Sequence, residues 1–136
     1  MDTTSEHVSE TCAVLCLDDD SVFTDIICHR LGKEGISNAY APTWSVAQRM
    51  LSKDPLPKVI LLDVSMPDIN GFDVLQKLKE DPRTKHIPVL MFSNNVEPEN
   101  VTRSKELGAH EYLIKVDTSP GEVTEKIKQL LANTTS

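Results

Sequence analysis

Short runs of continuous apolar residues alternate along this chain with longer stretches in which apolar residues recur every three or four positions. The run CAVLCL (12–17) is apolar throughout, as in a strand covered on both faces. In SVFTDIICHRLGKEG, Val22, Phe23, Ile26, Ile27 and Leu31 keep helical spacing, and Gly35 suits the end of that helix. ISNAYAP (36–42) reads as a weaker second strand, and TWSVAQRMLSKD (43–54) as a helix capped by Thr43 and stopped by Pro55. A third strand over 58–62 is followed by a helix, GFDVLQKLKED, that Pro82 stops. IPVLMF (87–92) predicts the fourth strand, and EPENVTRSKELG a helix with Pro98 in its first turn and Gly108 at its close. YLI (112–114) predicts the fifth strand. The last helix opens at SPGE, with Ser119 as cap, Pro120 at the first position and Glu122 completing a capping box.

Five strands alternating with five helices predict right-handed crossovers and a mostly parallel sheet between two helical layers. Open sheets of this kind bind ligands beyond the carboxyl ends of their strands. The first strand ends in Asp18, Asp19 and Asp20, the third in Asp63, the fourth in Ser93 and the fifth in Lys115. The second ends in nothing chemically distinctive. Carboxylates, a hydroxyl and an ammonium thus converge on one rim.

At an effective dielectric of 20, two carboxylates about 4 Å apart repel by roughly 4 kcal/mol. Converging carboxylates therefore need a cation, raised pKa values, or both. Oxygen ligands without His or Cys select hard cations, and Mg²⁺ fits best because it keeps several waters and commonly shares its shell with a phosphate. The calcium loop with alternating ligands closed by a Glu is absent. A cation, a Lys and a Ser hydroxyl around one carboxylate suggest phosphoryl transfer to that carboxylate. Each residue alone has an ordinary reading: an Asp caps a helix, a Lys is solvated, a Ser makes a turn. Four of them on one rim resist that explanation.

Composition narrows the class. The 136 residues suit one domain, and 39% hydrophobic with 26% charged residues is ordinary for a soluble globular protein. A net charge of −7 argues against nucleic acid or an anionic membrane as a partner. Three cysteines, Cys12, Cys16 and Cys28, show no zinc spacing and read as reduced, buried thiols of a cytoplasmic protein. No apolar run approaches the roughly 18 residues of a membrane span. The N-terminal MDTTSEHVSET is polar and acidic, unlike a signal peptide, and reads as a loose tail over 1–11.

These residues resemble the receiver domain of two-component response regulators, the CheY-like family. VLCLDDDSVF is similar to its first strand with the acidic pair, and LLDVSMPDINGFDVL to its phosphoacceptor strand and loop, with Asp63, Met66, Pro67 and Gly71 in register. IPVLMFS matches the strand ending in Ser or Thr, and GAHEYLIK the strand ending in Lys. The separations agree in kind: 44 residues from Asp19 to Asp63, 30 to Ser93 and 22 to Lys115. The resemblance covers residues 12–132 and leaves 133–136 as a tail or the start of a linker. It implies an α/β three-layer sandwich of the flavodoxin/CheY-like class, a five-stranded parallel sheet in the order 2-1-3-4-5 with five helices.

The resemblance also implies roles. Asp63 would accept a phosphoryl group from a phosphohistidine on a sensor histidine kinase or a histidine phosphotransfer protein. Asp19, Asp63 and the Ser65 backbone carbonyl would hold Mg²⁺ directly, with Asp18 acting through a bound water. Lys115 would pair first with Asp63 and later with phosphoryl oxygens. Ser93 would swing inward to the phosphoryl group and Tyr112 would repack behind it, although Tyr112 also reads as a half-buried strand aromatic. Phosphorylation would then shift the surface around the fourth helix, fifth strand and fifth helix, for a downstream protein, a missing output domain or a phosphorylation-dependent homodimer. Asp20 reads as the residue that starts the first helix.

Two positions depart from the family pattern. Asn94, followed by Asn95, stands where a small residue usually follows the Ser or Thr, and either is expected to contact the phosphoryl group or its attacking water. Val116 stands where Pro usually follows the Lys, so a trans bond and a differently shaped strand exit are expected. Two other readings stay open. One is a receiver-like interaction module that is not phosphorylated. The other is a haloacid-dehalogenase-like phosphatase, whose nucleophile motif LDDDSV fits through Asp18 and Asp20. That family needs a further acidic pair after the lysine, where only Asp117 and Glu122 lie, and the acidic loop at 63–68 comes too early for it. The first family implies a domain that promotes its own phosphorylation and dephosphorylation, not a turnover enzyme.

Overall fold

The computed structural model describes residues 13–134. The N-terminal tail and Cys12 lie outside the described residues. Strands β1 (Val14–Leu17), β2 (Asn38–Ala41), β3 (Val59–Leu62), β4 (Val89–Ser93) and β5 (Glu111–Ile114) form one parallel sheet in the order β2-β1-β3-β4-β5. Helices α1 (Ser21–Lys33), α2 (Trp44–Leu51), α3 (Gly71–Glu80), α4 (Pro98–Glu106) and α5 (Pro120–Thr134) alternate with them. The order and the five helices are those expected. α5 reaches Thr134, two residues past the expected end at 132.

Alternation along each strand divides the core. Leu15, Leu17, Ile60, Leu62, Val89 and Met91 face one side with Ala47 and Leu51 of α2 and Phe72, Leu75 and Leu78 of α3. Cys16, Leu61, Leu90, Phe92 and Leu113 face the other with Ile27 and Leu31 of α1 and Val123, Ile127 and Leu130 of α5. Covered on both faces, β1, β3 and β4 are buried at every position, which is why their sequences are apolar without alternation. Cys16 is buried as expected, whereas Cys28 is only half-buried.

Local chemistry places the ends. Thr43 accepts from Val46 N–H at 3.2 Å, and Ser119 and Glu122 complete the capping box. Gly35 and Gly108 close α1 and α4 with φ of 77° and 103°, values that favour glycine. α2 ends before Pro55, at Leu51, because the Ser52 hydroxyl takes the Arg49 carbonyl at 2.7 Å and the residue before a proline disfavours helix. β4 begins at Val89 instead of Ile87, since Ile87 N–H is turned back to the Thr84 carbonyl. No helix among the described residues is long and apolar enough to cross a membrane.

Candidate functional site

Sheet register assembles the site. Leu17 pairs with Leu62, so Asp18 and Asp63 leave adjacent strands side by side. Both are still held by backbone: Asp18 N–H donates to Ala41 at 3.3 Å and Asp63 N–H to Leu17 at 2.9 Å. Ser93 pairs with Ile114, and Lys115 follows immediately at the same edge.

Four polar side chains there are nearly out of contact with water: relative exposures are 3% for Asp18, 5% for Asp63, 3% for Ser93 and 7% for Lys115. Charges at that depth need partners. Lys115 Nζ lies 2.9 Å from Asp18 Oδ2 and 2.9 Å from Asp63 Oδ2, with Asp20 Oδ2 at 3.9 Å. Its ammonium also stands 5.5 Å over the Phe92 ring. Asp19 is exposed, and one oxygen from each of Asp18, Asp19 and Asp63 falls within 4.8 Å of the others. Asp20 caps α1 by accepting from Phe23 N–H at 3.3 Å.

Charge in this pocket is not balanced. Burial and the Asp63 carboxylate push Asp18 up to about 6, against the pull of Asp20 N–H and Lys115. Burial also disfavours the Lys115 ammonium, yet Asp18 and Asp63 outweigh it and hold its pKa above the ordinary lysine value. The two shifts differ in cause: burial, aided by Asp63, raises Asp18, whereas Lys115 is raised because its single ammonium is shared by two carboxylates. A third carboxylate, Asp19, stands beside them. Two unit charges 4.8 Å apart repel by about 3.5 kcal/mol at an effective dielectric of 20, less where water screens Asp19.

The donor set fits a small hard cation. Octahedral Mg²⁺ holds oxygens at about 2.1 Å, hence about 3 Å apart in cis and about 4 Å in trans. Oxygens already within 4.8 Å need little movement to reach those separations. No nitrogen or sulfur belongs to the group, so softer metals gain nothing there.

The loop after Asp63 is closed on itself. Ser65 N–H donates to Asp63 Oδ1 at 3.0 Å, Gly71 N–H to the Val64 carbonyl at 2.7 Å, and Ser65 and Asn70 form an antiparallel bridge. Met66 and Ile69 pack against the core. At the neighbouring strand end, Ser93 Oγ accepts from Asn95 N–H at 3.1 Å, and the Asn95 carbonyl accepts from the Tyr112 hydroxyl at 2.8 Å. The Asn95 side chain accepts from Glu97 N–H at 3.0 Å, while Asn94 is exposed. Burial raises the Tyr112 hydroxyl pKa. β5 leaves through a 3-10 turn, Lys115–Asp117, and the 115–116 bond is trans, as expected; among the described residues the cis bond is Asp54–Pro55.

One residue escaped the sequence reading. Asp68, at the tip of the loop, accepts from Trp44 N–H at 3.0 Å and Ser45 N–H at 3.1 Å, 24 and 23 residues away. Its position directly after Pro67 was the available signal, and it names no partner.

A family model described as the response regulator receiver domain matches residues 14–128. The chain belongs to that family. As a receiver domain of two-component signalling, it is 30% identical over 118 residues to the phosphate regulon transcriptional regulatory protein PhoB of Escherichia coli, covering 87% of this chain and 51% of that one. It is also 30% identical to the two-component response regulator ORR11 of Oryza sativa subsp. indica, covering 87% of this chain and 80% of that one. The receiver thus spans about half the length of PhoB. Among solved structures, the Francisella response regulator 1452 receiver domain superposes with a TM-score of 0.80 at 26% identity, over 89% of this chain and 97% of that one. Receiver domains are signalling domains and not turnover enzymes of the usual kind. The acidic pocket of Asp18, Asp19 and Asp63 is one that could bind a metal.

Proposed function

We propose that this receiver accepts a phosphoryl group on Asp63 in a Mg²⁺-dependent transfer from a phosphohistidine, and that the modified state alters a protein-binding surface. The observation that supports the reading is Lys115 held 2.9 Å from both Asp18 and Asp63 in a pocket of three carboxylates, two more than its single ammonium can neutralise.

Asp18, Asp19, Asp63 and the Ser65 carbonyl would hold the cation, Asp18 through a water. When bound, Mg²⁺ supplies charge neutralisation of phosphoryl oxygens. The chain's own groups do the rest. β3 and its closed loop fix Asp63, so its carboxylate meets an incoming phosphorus with little reorganisation. A bond forms from an Asp63 oxygen to phosphorus as the histidine N–P bond breaks, and the imidazole leaves with a proton from solvent. Lys115, freed from sharing two carboxylates, turns its ammonium to the transferred oxygens. Ser93 would give its hydroxyl to the same group and release Asn95 N–H. Tyr112, bonded to the same Asn95, would repack in response, carrying the change to α4, β5 and α5. Asn94 and Asn95 would tune how long the phosphoryl group survives attack by water.

The donor is a sensor histidine kinase or a histidine phosphotransfer protein, in the cytoplasm. The recipient of the signal is a second protein, an output domain or a second phosphorylated copy. Within the chain, the receiver runs from 12 to the end of α5 at Thr134 and is preceded by the polar segment 1–11.

Acetyl phosphate with Mg²⁺ should add one phosphoryl mass to the wild type and none to Asp63→Asn, read by intact mass and lost on mild base. Equal labelling of both chains would exclude Asp63 as acceptor. No labelling, with no Asp63-dependent uptake of beryllofluoride, would leave an unphosphorylated interaction module.

A further inference from the structure

Helix α2 begins unusually well satisfied. An α-helix leaves its first N–H groups without partners in the helix itself. Here Val46 N–H is taken by its own cap, Thr43, at 3.2 Å. Trp44 and Ser45 N–H are both taken by the carboxylate of Asp68, one on each oxygen, at 3.0 and 3.1 Å. These bonds hold the Asp68 carboxyl below the usual carboxylate range, Trp44 N–H contributing most. A carboxylate at a helix N-terminus also gains from the helix dipole.

Asp68 belongs to neither β3 nor α2. It lies in the loop between Asp63 and Gly71, whose neck is fixed by Gly71 N–H on the Val64 carbonyl and by the Ser65–Asn70 bridge. The neck fixes where the loop leaves the strand, but not how the peptide groups beyond it are tilted. Ser65 is the strand-side residue of that bridge, and its carbonyl belongs to the next peptide group, on the side of the Asp68 anchor. Two bonds to one carboxylate set both the position and the rotation of the tip, which one bond would not.

The geometry points to Asp68 as a positioning residue for the cation site: by tying the loop tip to the start of α2, it sets the direction from which the Ser65 carbonyl would reach a cation held by Asp18, Asp19 and Asp63. This rests on the proposed Mg²⁺-dependent transfer. Asp68 touches neither cation nor phosphoryl group and acts only through the loop backbone. Outer groups that orient metal ligands commonly matter for affinity nearly as much as the ligands do.

The test is Mg²⁺ titration calorimetry and the initial rate of acetyl phosphate labelling on four full-length proteins: wild type, Asp68→Ala, Asp68→Asn and Thr43→Ala. Asp68→Ala should weaken Mg²⁺ binding about three- to ten-fold and slow labelling in proportion, with the slowing overcome by added Mg²⁺. Asp68→Asn keeps one accepting oxygen and should fall between wild type and Asp68→Ala. Thr43→Ala removes a cap from the same helix without touching the loop; it should lower the melting temperature while leaving Mg²⁺ affinity within about two-fold. Asp68→Ala binding Mg²⁺ within about two-fold of wild type would overturn the assignment, as would Thr43→Ala weakening it equally. If Asp68→Ala does not fold, Asp68→Asn against Thr43→Ala decides by the same criterion. Absence of Mg²⁺ uptake by the wild type would instead overturn the proposed function itself.

Discussion

At Asp18, burial and the neighbouring Asp63 carboxylate favour the protonated form, and the shift to about 6 records that preference. At neutral pH the folded protein therefore carries an ionised Asp18 that the unfolded chain would ionise more readily. Replacing it with Asn keeps the shape and removes the charge. Asp18→Asn should raise stability in metal-free buffer near pH 7 by something on the order of 1–3 kcal/mol, while reducing the stabilisation that Mg²⁺ gives. Denaturant titrations with and without Mg²⁺ check both halves. A loss of metal-free stability would mean that the 2.9 Å bond to Lys115 outweighs the repulsion from Asp63. The carboxylates, Ser93 and Lys115 were legible in the sequence because a parallel sheet turns "next after a strand" into "adjacent in space". Asp68 and the Ser93–Asn95–Tyr112 chain were not. Their bonds run through backbone N–H and carbonyl groups, which every residue has, and reach 24 and 17 residues along the chain.

The element that ties acceptor to helix is the loop from Asp63 to Gly71, and its closure depends on Gly71 having no side chain. A Cβ there would collide with the Asp63 carbonyl oxygen and lie 2.6 Å from Val64 Cα and 2.8 Å from the Val64 carbonyl oxygen. All three are backbone atoms at the end of a buried strand, so none can swing aside. Gly71→Ala should destabilise the fold by about 3 kcal/mol and displace Asp63, lowering labelling even in the fraction that folds. Thermal unfolding and intact mass at a temperature where the variant is folded would show it; wild-type values in both would mean the loop shifts freely. Elements as such were read from the sequence with little loss, since buried parallel strands are uniformly apolar and the helix caps are explicit at Thr43, Ser119 and Gly108. Their ends were read less well. Ile87, apolar and adjacent to β4, belongs to a turn because its N–H finds Thr84, a choice that hydrophobicity does not encode. α4 is legible through Pro98 and Gly108 more than through apolar spacing: it buries Ser104, whose hydroxyl is satisfied by the Val101 carbonyl at 2.8 Å.

For the whole molecule, the acidic pocket makes stability depend on pH and on Mg²⁺ together. Asp18 keeps its proton up to about 6 in the fold, but releases it near the ordinary carboxylate value of 3.8 when unfolded. Between those values the folded state binds more protons, so this group's contribution to stability is full below about pH 4 and is lost as pH rises through about 6. A cation that binds only the fold needs the ionised carboxylate and competes with that proton. Its stabilisation should therefore be weak near pH 5 and fully developed above about pH 7. The difference in melting temperature with and without Mg²⁺ isolates the pocket, because carboxylates and histidines elsewhere titrate equally in both buffers and cancel. With Mg²⁺ at ten times its dissociation constant, linkage gives about 1.4 kcal/mol, or roughly 5 °C for a domain of this size, at the upper end of the range. Differential scanning calorimetry across pH 5 to about 8 should show that increment shrinking toward zero on the acid side. An increment that is constant with pH, or largest at pH 5, would place Mg²⁺ binding away from Asp18 and its neighbours, and with it the charge imbalance on which phosphoryl acceptance rests.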